Sequence, residues 1–190
     1  MGDSRHPLPV KLFFGMLTPE PSLFDTCIAI LSKEYGPLDY WSEAWSWDKT
    51  EYYQTEMGKG IFRKFIFCER LINPAVFPSI KLFTNNLEKT FPLPGAGILR
   101  RRINIDPGYI TEAKVVLATT KDFSHRVYIG SDIYAEVTLR YSLRERRFVA
   151  MDYTYPDYRS EAYLVMFNKA RELLRKALRQ QVTVDAREKE

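Results

Sequence analysis

Segments with strand and helix patterns alternate along the first 105 residues, and their order constrains the fold more than any other feature. Residues 10–17 form an apolar run that ends at a Thr-Pro pair, which predicts a buried strand. A helix is expected next, with Ser22 as its N-cap and Gly36 at its end. Residues 38–47 alternate in polarity and residues 61–72 are rich in β-formers, so each predicts a further strand.

The same order continues beyond residue 72. An Asn-Pro pair at 73–74 starts a second predicted helix, and a Pro/Gly cluster at 92–97 precedes a strand predicted at 98–105. The resulting order is βαββαβ, which is the ferredoxin-like pattern and places the chain in the α+β class. Further strands are predicted at 127–129, 133–141 and 148–155, followed by a long helix at 161–178.

Length and composition fit a single domain. The chain has 190 residues, of which 45% are hydrophobic and 27% charged, so a packed core is feasible. We expect one domain spanning 1–190, with a loose N-terminal arm at 1–9 and a frayed tail at 182–190. The net charge of +4 is compatible with an anionic ligand but too small to indicate nucleic-acid binding by itself.

The cysteines and the length of the apolar runs indicate in which cellular compartment the protein is expected. Cys27 and Cys68 stand alone without CxxC spacing, which predicts buried, reduced thiols in a cytoplasmic protein. No run of about 18 apolar residues occurs in the sequence, so we expect no membrane-spanning helix and no membrane partner.

Polar and charged side chains concentrate in two turn-like segments on either side of the buried run 115–118. The first segment carries Asn104, Asp106 and Tyr109 directly after Arg100, Arg101 and Arg102. The second segment carries Lys121, Asp122, His125 and Arg126. Polar loops held by buried segments are where ligands usually bind, so the two segments together form the predicted site.

The residue types suggest a role for each side chain. The cations expected to bind an anion are Arg102, Lys121 and Arg126. Histidine side chains are suited to proton transfer, so His125 could move protons, with Asp106 or Asp122 as its orienting partner. Asn104 and Tyr109 would contact the ligand. No paired-histidine spacing is present, so no metal site is expected, and the sequence identifies no cofactor.

Several of these segments also have a purely structural interpretation. Asp-Pro-Gly at 106–108 is common turn chemistry, and the turn and ligand interpretations are compatible. Glu136 and Arg140 share one face of a predicted strand, which either faces solvent or lines a cleft. The tyrosine-rich segment 153–159 either connects the last strand to the final helix or forms a lid over a pocket.

The two polar segments can meet at one ligand only if the chain between them is helical or reverses direction. Thr111 is a plausible N-cap before Glu112. We therefore predict a short helix at 112–118 and a common pocket lined by four residues: Asp106, Lys121, His125 and Arg126.

Five segments occur in the order of a known family: MGKGIFRKFIFCERLI, IKLFTNNLE, INIDPGYITEAKVVLATTKDFSHRVYIG, IYAEVTLRY and YTYPDYRSEAY. Together they resemble the bacterial domain-of-unknown-function family 4416, over roughly residues 9–178. The resemblance implies a small cytosolic bacterial protein without an established activity, and it supplies no catalytic residues. The sequence contains no GxxxxGK[ST] phosphate-binding loop.

A second resemblance concerns the first half of the chain. The strands KLFFGML and KGIFRKFIF are similar to the two signature strands of RNA-recognition motifs. That resemblance implies aromatic rings on an open sheet face, where unpaired bases stack. Phe13 could supply one ring, but Ile61 and Arg63 stand where the motif has aromatic residues.

The sequence therefore favours a cytosolic protein that binds a small anionic ligand, phosphate-bearing ligands included, and that could perform acid/base chemistry. Two alternatives remain open, a single-stranded RNA-binding module and a protein-interaction scaffold without catalysis. The first requires an exposed aromatic side chain near Phe13, and the second requires a contiguous exposed apolar patch. Whether the protein is an enzyme and what its oligomeric state is both stay open.

Overall fold

The computed structural model describes residues 2–3, 5–47, 56–91 and 101–187, with side chains described as far as Gln181. The strands are β1 Val10–Thr18, β2 Leu38–Trp41, β3 Trp45–Ser46, β4 Phe62–Ile72, β5 Asn104–Ile110, β6 Lys114–Thr119, β7 Val127–Gly130, β8 Ile133–Ser142 and β9 Arg147–Ala150. The helices are α1 Ser22–Tyr35, α2 Phe77–Lys89 and α3 Glu161–Arg187. Single 3₁₀ turns at Pro74–Val76 and Pro156–Arg159 precede α2 and α3.

The strands differ in length and form one sheet, in which every described pairing is antiparallel. Its order is β2-β4-β1-β5-β6-β8-β7, with β3 paired to β4 and β9 paired to β8. Strand β1 lies near the middle because it is an almost continuous apolar run, and every one of its residues is buried. The predicted α+β class is confirmed.

Helices cover the sheet on both faces, following the alternation of side chains along β1. Leu12, Phe14 and Met16 belong to the core that includes α1 and α2. Phe13 belongs to the opposite core, where its ring centroid lies 5.1 Å from that of Phe167 in α3. Phe13 is fully buried, so it is not available for base stacking.

The first half of the chain follows the predicted order with local differences. The strand predicted at 38–47 is two short strands, β2 and β3, and both pair with β4. Ser22 is the first helical residue of α1 and not its cap, because Pro21 occupies the N-cap position and no side chain caps the helix. Cys27 and Cys68 are buried and not disulfide-bonded, as predicted.

The strand predicted at 98–105 begins later and extends further. Residues 98–100 lie outside the described part of the chain, and β5 runs from Asn104 to Ile110. The Asp-Pro-Gly sequence is therefore inside a strand, and the prediction of a turn there is wrong. Gly108 permits this because a Cβ at that position would lie 2.2 Å from Cζ of Phe13, so only glycine lets the ring pack against β5.

The sheet divides at Pro107. Strand β5 pairs with β1 from Asn104 to Ile110. Its described pairing with β6, in contrast, covers only the three residues from Gly108 to Ile110. Proline has no N–H to donate to a strand ladder, which explains why the second pairing stops there. The beginning of β5 and the end of β6 therefore separate, and a cavity opens at this point.

The helix predicted at 112–118 is wrong. The chain reverses instead in a tight turn, in which the Thr111 Oγ1 accepts hydrogen bonds from the backbone N–H groups of Ala113 and Lys114. Thr111 thus bonds as an N-cap does, but the β-branched residues that follow form β6. The reversal brings the start of β5 and the loop after β6 to the same end of the sheet.

The C-terminal third differs from prediction mainly in element lengths. The strand predicted at 148–155 ends at Ala150, because residues 151–155 form a turn before the 3₁₀ segment. The final helix continues to Arg187, beyond the end predicted at 178. Among the described residues, no helix is long and apolar enough to cross a membrane.

Candidate functional site

A cavity of about 340 Å³ lies where β5 and β6 separate. Its lining comes from the ends of several strands, from α2 and from the segment 155–158 that leads into α3. Five predicted site residues line it: Asn104, Asp106, Lys121, Arg126 and Glu136. The size and concave shape are typical of small-molecule sites.

Asp106 is the acidic residue at the start of β5. Lys81 Nζ donates to its Oδ1 (3.1 Å), and Asn104 Nδ2 donates to its Oδ2 (2.6 Å). Its side chain keeps 26% of its exposure because it faces the cavity. Burial by itself would raise the pKa of Asp106, but the charges of Lys81 and Arg63 outweigh it and lower the pKa below the ordinary value. Asp106 is therefore a carboxylate at neutral pH.

Arg101 connects the cavity to two acidic side chains behind it. Its Nη2 lies 2.5 Å from Glu56 Oε2, and its Nη1 donates to Glu88 Oε2 (3.1 Å) and to Asn104 Oδ1 (2.9 Å). Glu88 in turn accepts the backbone N–H of Ile105 (2.7 Å). The bond from Arg101 orients the Asn104 side chain toward Asp106. The carboxylates of Glu56 and Glu88 compensate most of the Arg101 charge within the protein.

Arg63 projects from β4 and is only 4% exposed. Its Nη2 donates to Asp157 Oδ2 (3.1 Å), which also accepts from the Trp47 indole (3.2 Å). Its Nε and Nη1, and the hydroxyl of Tyr158, have no hydrogen-bond partner among the described residues, although all are buried. Arg63 and Tyr158 both line the cavity.

Gly15 of β1 separates Arg63 from Asp106. In the sheet, Gly15 is paired with Phe65 of the neighbouring strand β4 on one side and with Asp106 of β5 on the other. A Cβ at Gly15 would lie 2.9 Å from Phe65 Cε1 and 3.1 Å from Arg63 Nη1. The missing side chain therefore leaves room for the guanidinium group to lie over β1.

Arg126 holds the loop after β6 in place. Its Nε donates to Glu136 Oε2 (2.8 Å), its Nη1 to the Lys121 carbonyl (3.0 Å) and its Nη2 to the Tyr155 hydroxyl (3.1 Å). Three separate segments are thus joined through one guanidinium group. Because each of its nitrogens already has a partner, Arg126 positions the wall of the cavity more than it offers free donors.

His125 does not line the cavity. Its Nε2 lies 3.1 Å from Glu136 Oε2, and its ring stacks on Tyr153 with 4.3 Å between centroids. Of the four residues predicted to share a pocket, Asp106, Lys121 and Arg126 line the cavity and His125 does not. His125 contacts the cavity only indirectly, through Glu136.

Four other predicted site residues also lie elsewhere: Arg102, Tyr109, Asp122 and Arg140. Arg102 forms an ion pair with Glu20, and Tyr109 packs edge-on against Phe77 with ring centroids 4.8 Å apart. Asp122 and Arg140 are exposed. Among the described residues, no group of three or more His, Cys, Asp or Glu could hold a metal ion.

Sequence reasoning missed the residues that the fold brings to the cavity from distant segments. They are Arg63 and Lys81. Asp157 and Tyr158 also line the cavity, but they belong to the segment 153–159, for which a lid over a pocket was one of the two interpretations. One signal was available for Lys81, because it follows Phe77 by one helical turn and so lies near the apolar stripe of α2. Arg63 gave no such signal, since a cation on a strand usually faces solvent.

The comparisons with known proteins give one match. The family described as "Domain of unknown function (DUF4416)" matches residues 8–174, which is most of the chain. No curated protein and no solved structure matches the chain significantly. The protein therefore belongs to the DUF4416 family.

Proposed function

We propose that the cavity binds a small anionic ligand, phosphate-bearing ligands included. The observation that supports this most directly is Arg63, whose Nε and Nη1 are buried without a partner in the described structure. A buried donor left unsatisfied costs about 1–3 kcal/mol, and more when the group is charged. A ligand oxygen that reached Arg63 through a local shift of its side chain would remove that cost and gain a charge-assisted hydrogen bond.

The remainder of the lining is suited to the body of such a ligand. Trp47, Pro156 and Leu117 provide an apolar surface, and Thr119 and Thr120 provide neutral hydrogen-bonding groups. Burial raises the pKa of Tyr158 well above its ordinary value, so its hydroxyl stays protonated at neutral pH and can donate a hydrogen bond. The mixture favours a compact molecule with one acidic group and several polar substituents.

Acid/base chemistry is a secondary part of the proposal. Asp106 is the candidate proton acceptor because it is ionised and faces the cavity. His125 would act only through Glu136, and Asp122 lies on an exposed loop, so neither takes the role expected from the sequence. Whether a reaction occurs depends on the ligand.

The ferredoxin-like description predicted for residues 10–105 is also a proposal. The order β2-β4-β1-β5, with α1 and α2 packed in the same core, supports it. A cytoplasmic location is likewise proposed from the free thiols of Cys27 and Cys68.

The RNA-binding and scaffold alternatives stay predictions. The burial of Phe13 gives no support to the first, and the exposed Phe123, on the loop beside the cavity, is consistent with the second.

The binding proposal is tested by thermal-shift measurements with inorganic phosphate, pyruvate, glucose 6-phosphate and nucleoside phosphates. A ligand that binds only the folded state stabilises it by RT ln(1 + [L]/Kd). We expect at least one of these anions to raise Tm. In Arg63→Lys, which keeps the charge beside Asp157 but loses the guanidinium donors, the increase should be reduced.

Arg140→Lys is the matched control, because Arg140 is exposed and lies outside the cavity. It should leave the ligand-induced increase in Tm unchanged. The proposal is wrong if none of the anions raises Tm. It is also wrong if the ligand raises the Tm of Arg63→Lys as much as that of the wild type and of Arg140→Lys.

A further inference from the structure

Lys81 brings a primary amine into the cavity from α2. The residue is 4% exposed. Its Nζ donates to Asp106 Oδ1 at 3.1 Å and makes a long contact of 3.4 Å with the carbonyl oxygen of Ile105. An ammonium group has three N–H donors, so these two contacts do not saturate it. The amine therefore borders space in which a ligand atom could approach.

Lys11 shows what a structural buried lysine looks like in the same sheet. It is 1% exposed, and its Nζ lies 2.6 Å and 2.7 Å from the two Asp39 oxygens and 2.9 Å from the carbonyl oxygen of Cys68. Three short bonds use all its donors, and it does not line the cavity. Lys81 is buried as well, but it makes fewer and longer contacts and lines the cavity.

We propose that Lys81 is a nucleophile that forms an imine with the carbonyl group of an anionic ligand, such as a 2-oxo acid or an aldehyde phosphate. This inference rests on the proposed function, because Arg63 would hold the acidic group of the same ligand. Lysines that form imines lie in desolvated pockets or beside another cation, where the neutral amine is favoured. A carboxylate within hydrogen-bond reach can take up the proton that the amine must lose. Asp106 is that carboxylate here, at 3.1 Å.

The reaction balances with these residues alone. Asp106 accepts a proton from the Lys81 ammonium group, and the neutral amine adds to the carbonyl carbon. The oxygen of the resulting carbinolamine takes up the second amine proton and the proton from Asp106, and it leaves as water. The product is a protonated imine on Lys81, next to the regenerated carboxylate of Asp106. The net change is loss of one water, without oxidation or reduction.

The test is reductive trapping in the full-length protein. Pyruvate or glyceraldehyde 3-phosphate is added with sodium cyanoborohydride, which reduces an imine to a stable secondary amine, and the modified residue is identified by peptide mass spectrometry. We expect the adduct on Lys81 at higher occupancy than on exposed Lys114. Lys81→Arg retains the charge beside Asp106 but cannot form an imine, so the adduct at position 81 should be lost.

The outcomes separate this inference from the binding proposal. An adduct confined to exposed lysines, or none with either carbonyl compound, overturns the imine proposal. If anions still raise Tm through Arg63, the binding proposal remains intact in that case. If anions raise Tm in neither the wild type nor Lys81→Arg, and no adduct forms, both proposals are wrong.

Discussion

The substitution Gly15→Ala tests how the floor of the cavity is built. The added Cβ would lie 2.9 Å from Phe65 Cε1 and 3.1 Å from Arg63 Nη1, and both distances are shorter than normal contacts. Gly15 is not among the glycines with positive φ, so alanine can adopt its backbone conformation. The effect of the substitution should therefore come from steric contact alone.

The magnitude follows from two opposing contributions. Overpacking a buried site by one carbon costs about 1–3 kcal/mol. Alanine also restricts the unfolded chain, which stabilises the folded state by about 0.4–1 kcal/mol. The free energy of unfolding should therefore fall by about 1–2 kcal/mol. For a chain of this length, that corresponds to a decrease in Tm of roughly 2–8 °C. Displacement of Arg63 should also weaken the binding of any anion that stabilises the wild type.

Urea unfolding followed by circular dichroism measures the first effect, and thermal shift with the same anions measures the second. Gly2→Ala is the matched control, because no atom lies within 4 Å of a Cβ at Gly2. It should leave both quantities unchanged. The reasoning would be refuted if Gly15→Ala were as stable as Gly2→Ala and bound anions as tightly.

Three further substitutions test other parts of the structure. Gly108→Ala should cost at least about 3 kcal/mol in urea unfolding, since the new Cβ would lie 2.2 Å from Phe13 Cζ and the sheet cannot yield easily; a loss below about 1 kcal/mol would contradict this. Asp157→Asn should lower the free energy of unfolding by about 3–5 kcal/mol because it leaves the buried charge of Arg63 uncompensated, and an unchanged urea midpoint would be inconsistent with that pairing. The pKa of Asp106 is lower in the folded protein than the unfolded pKa of about 3.9, so the ionised carboxylate stabilises the fold at higher pH. This contribution is lost as the pH falls through the lower folded pKa. Urea midpoints measured below about pH 4 should therefore fall less steeply in Asp106→Asn than in the wild type.

Local patterns in the sequence were sufficient for most of the elements. The apolar run of β1, the helical spacing in α1 and the isolated cysteines each depend on neighbours within a few residues or on simple burial, so they could be predicted without coordinates. The concentration of polar residues around Asn104 and Lys121 likewise lies at the end of the sheet where the cavity opens. The polar residues of a site often come from adjacent segments, and a linear pattern can detect those.

Tertiary structure decided what those patterns mean. Asp-Pro-Gly is a turn signal in isolation, but Phe13 packs against Gly108 and makes the segment part of a strand, while Pro107 ends its pairing on one side. Arg63 and Asp157 are 94 positions apart and meet only because β4 and the segment before α3 reach one cavity. The sequence by itself therefore determined most of the strands and helices, but not the conformation of residues 106–108 and 112–118, which long-range packing made parts of β5 and β6. The identity of the cavity-lining residues depended on long-range pairing, which local propensity does not encode.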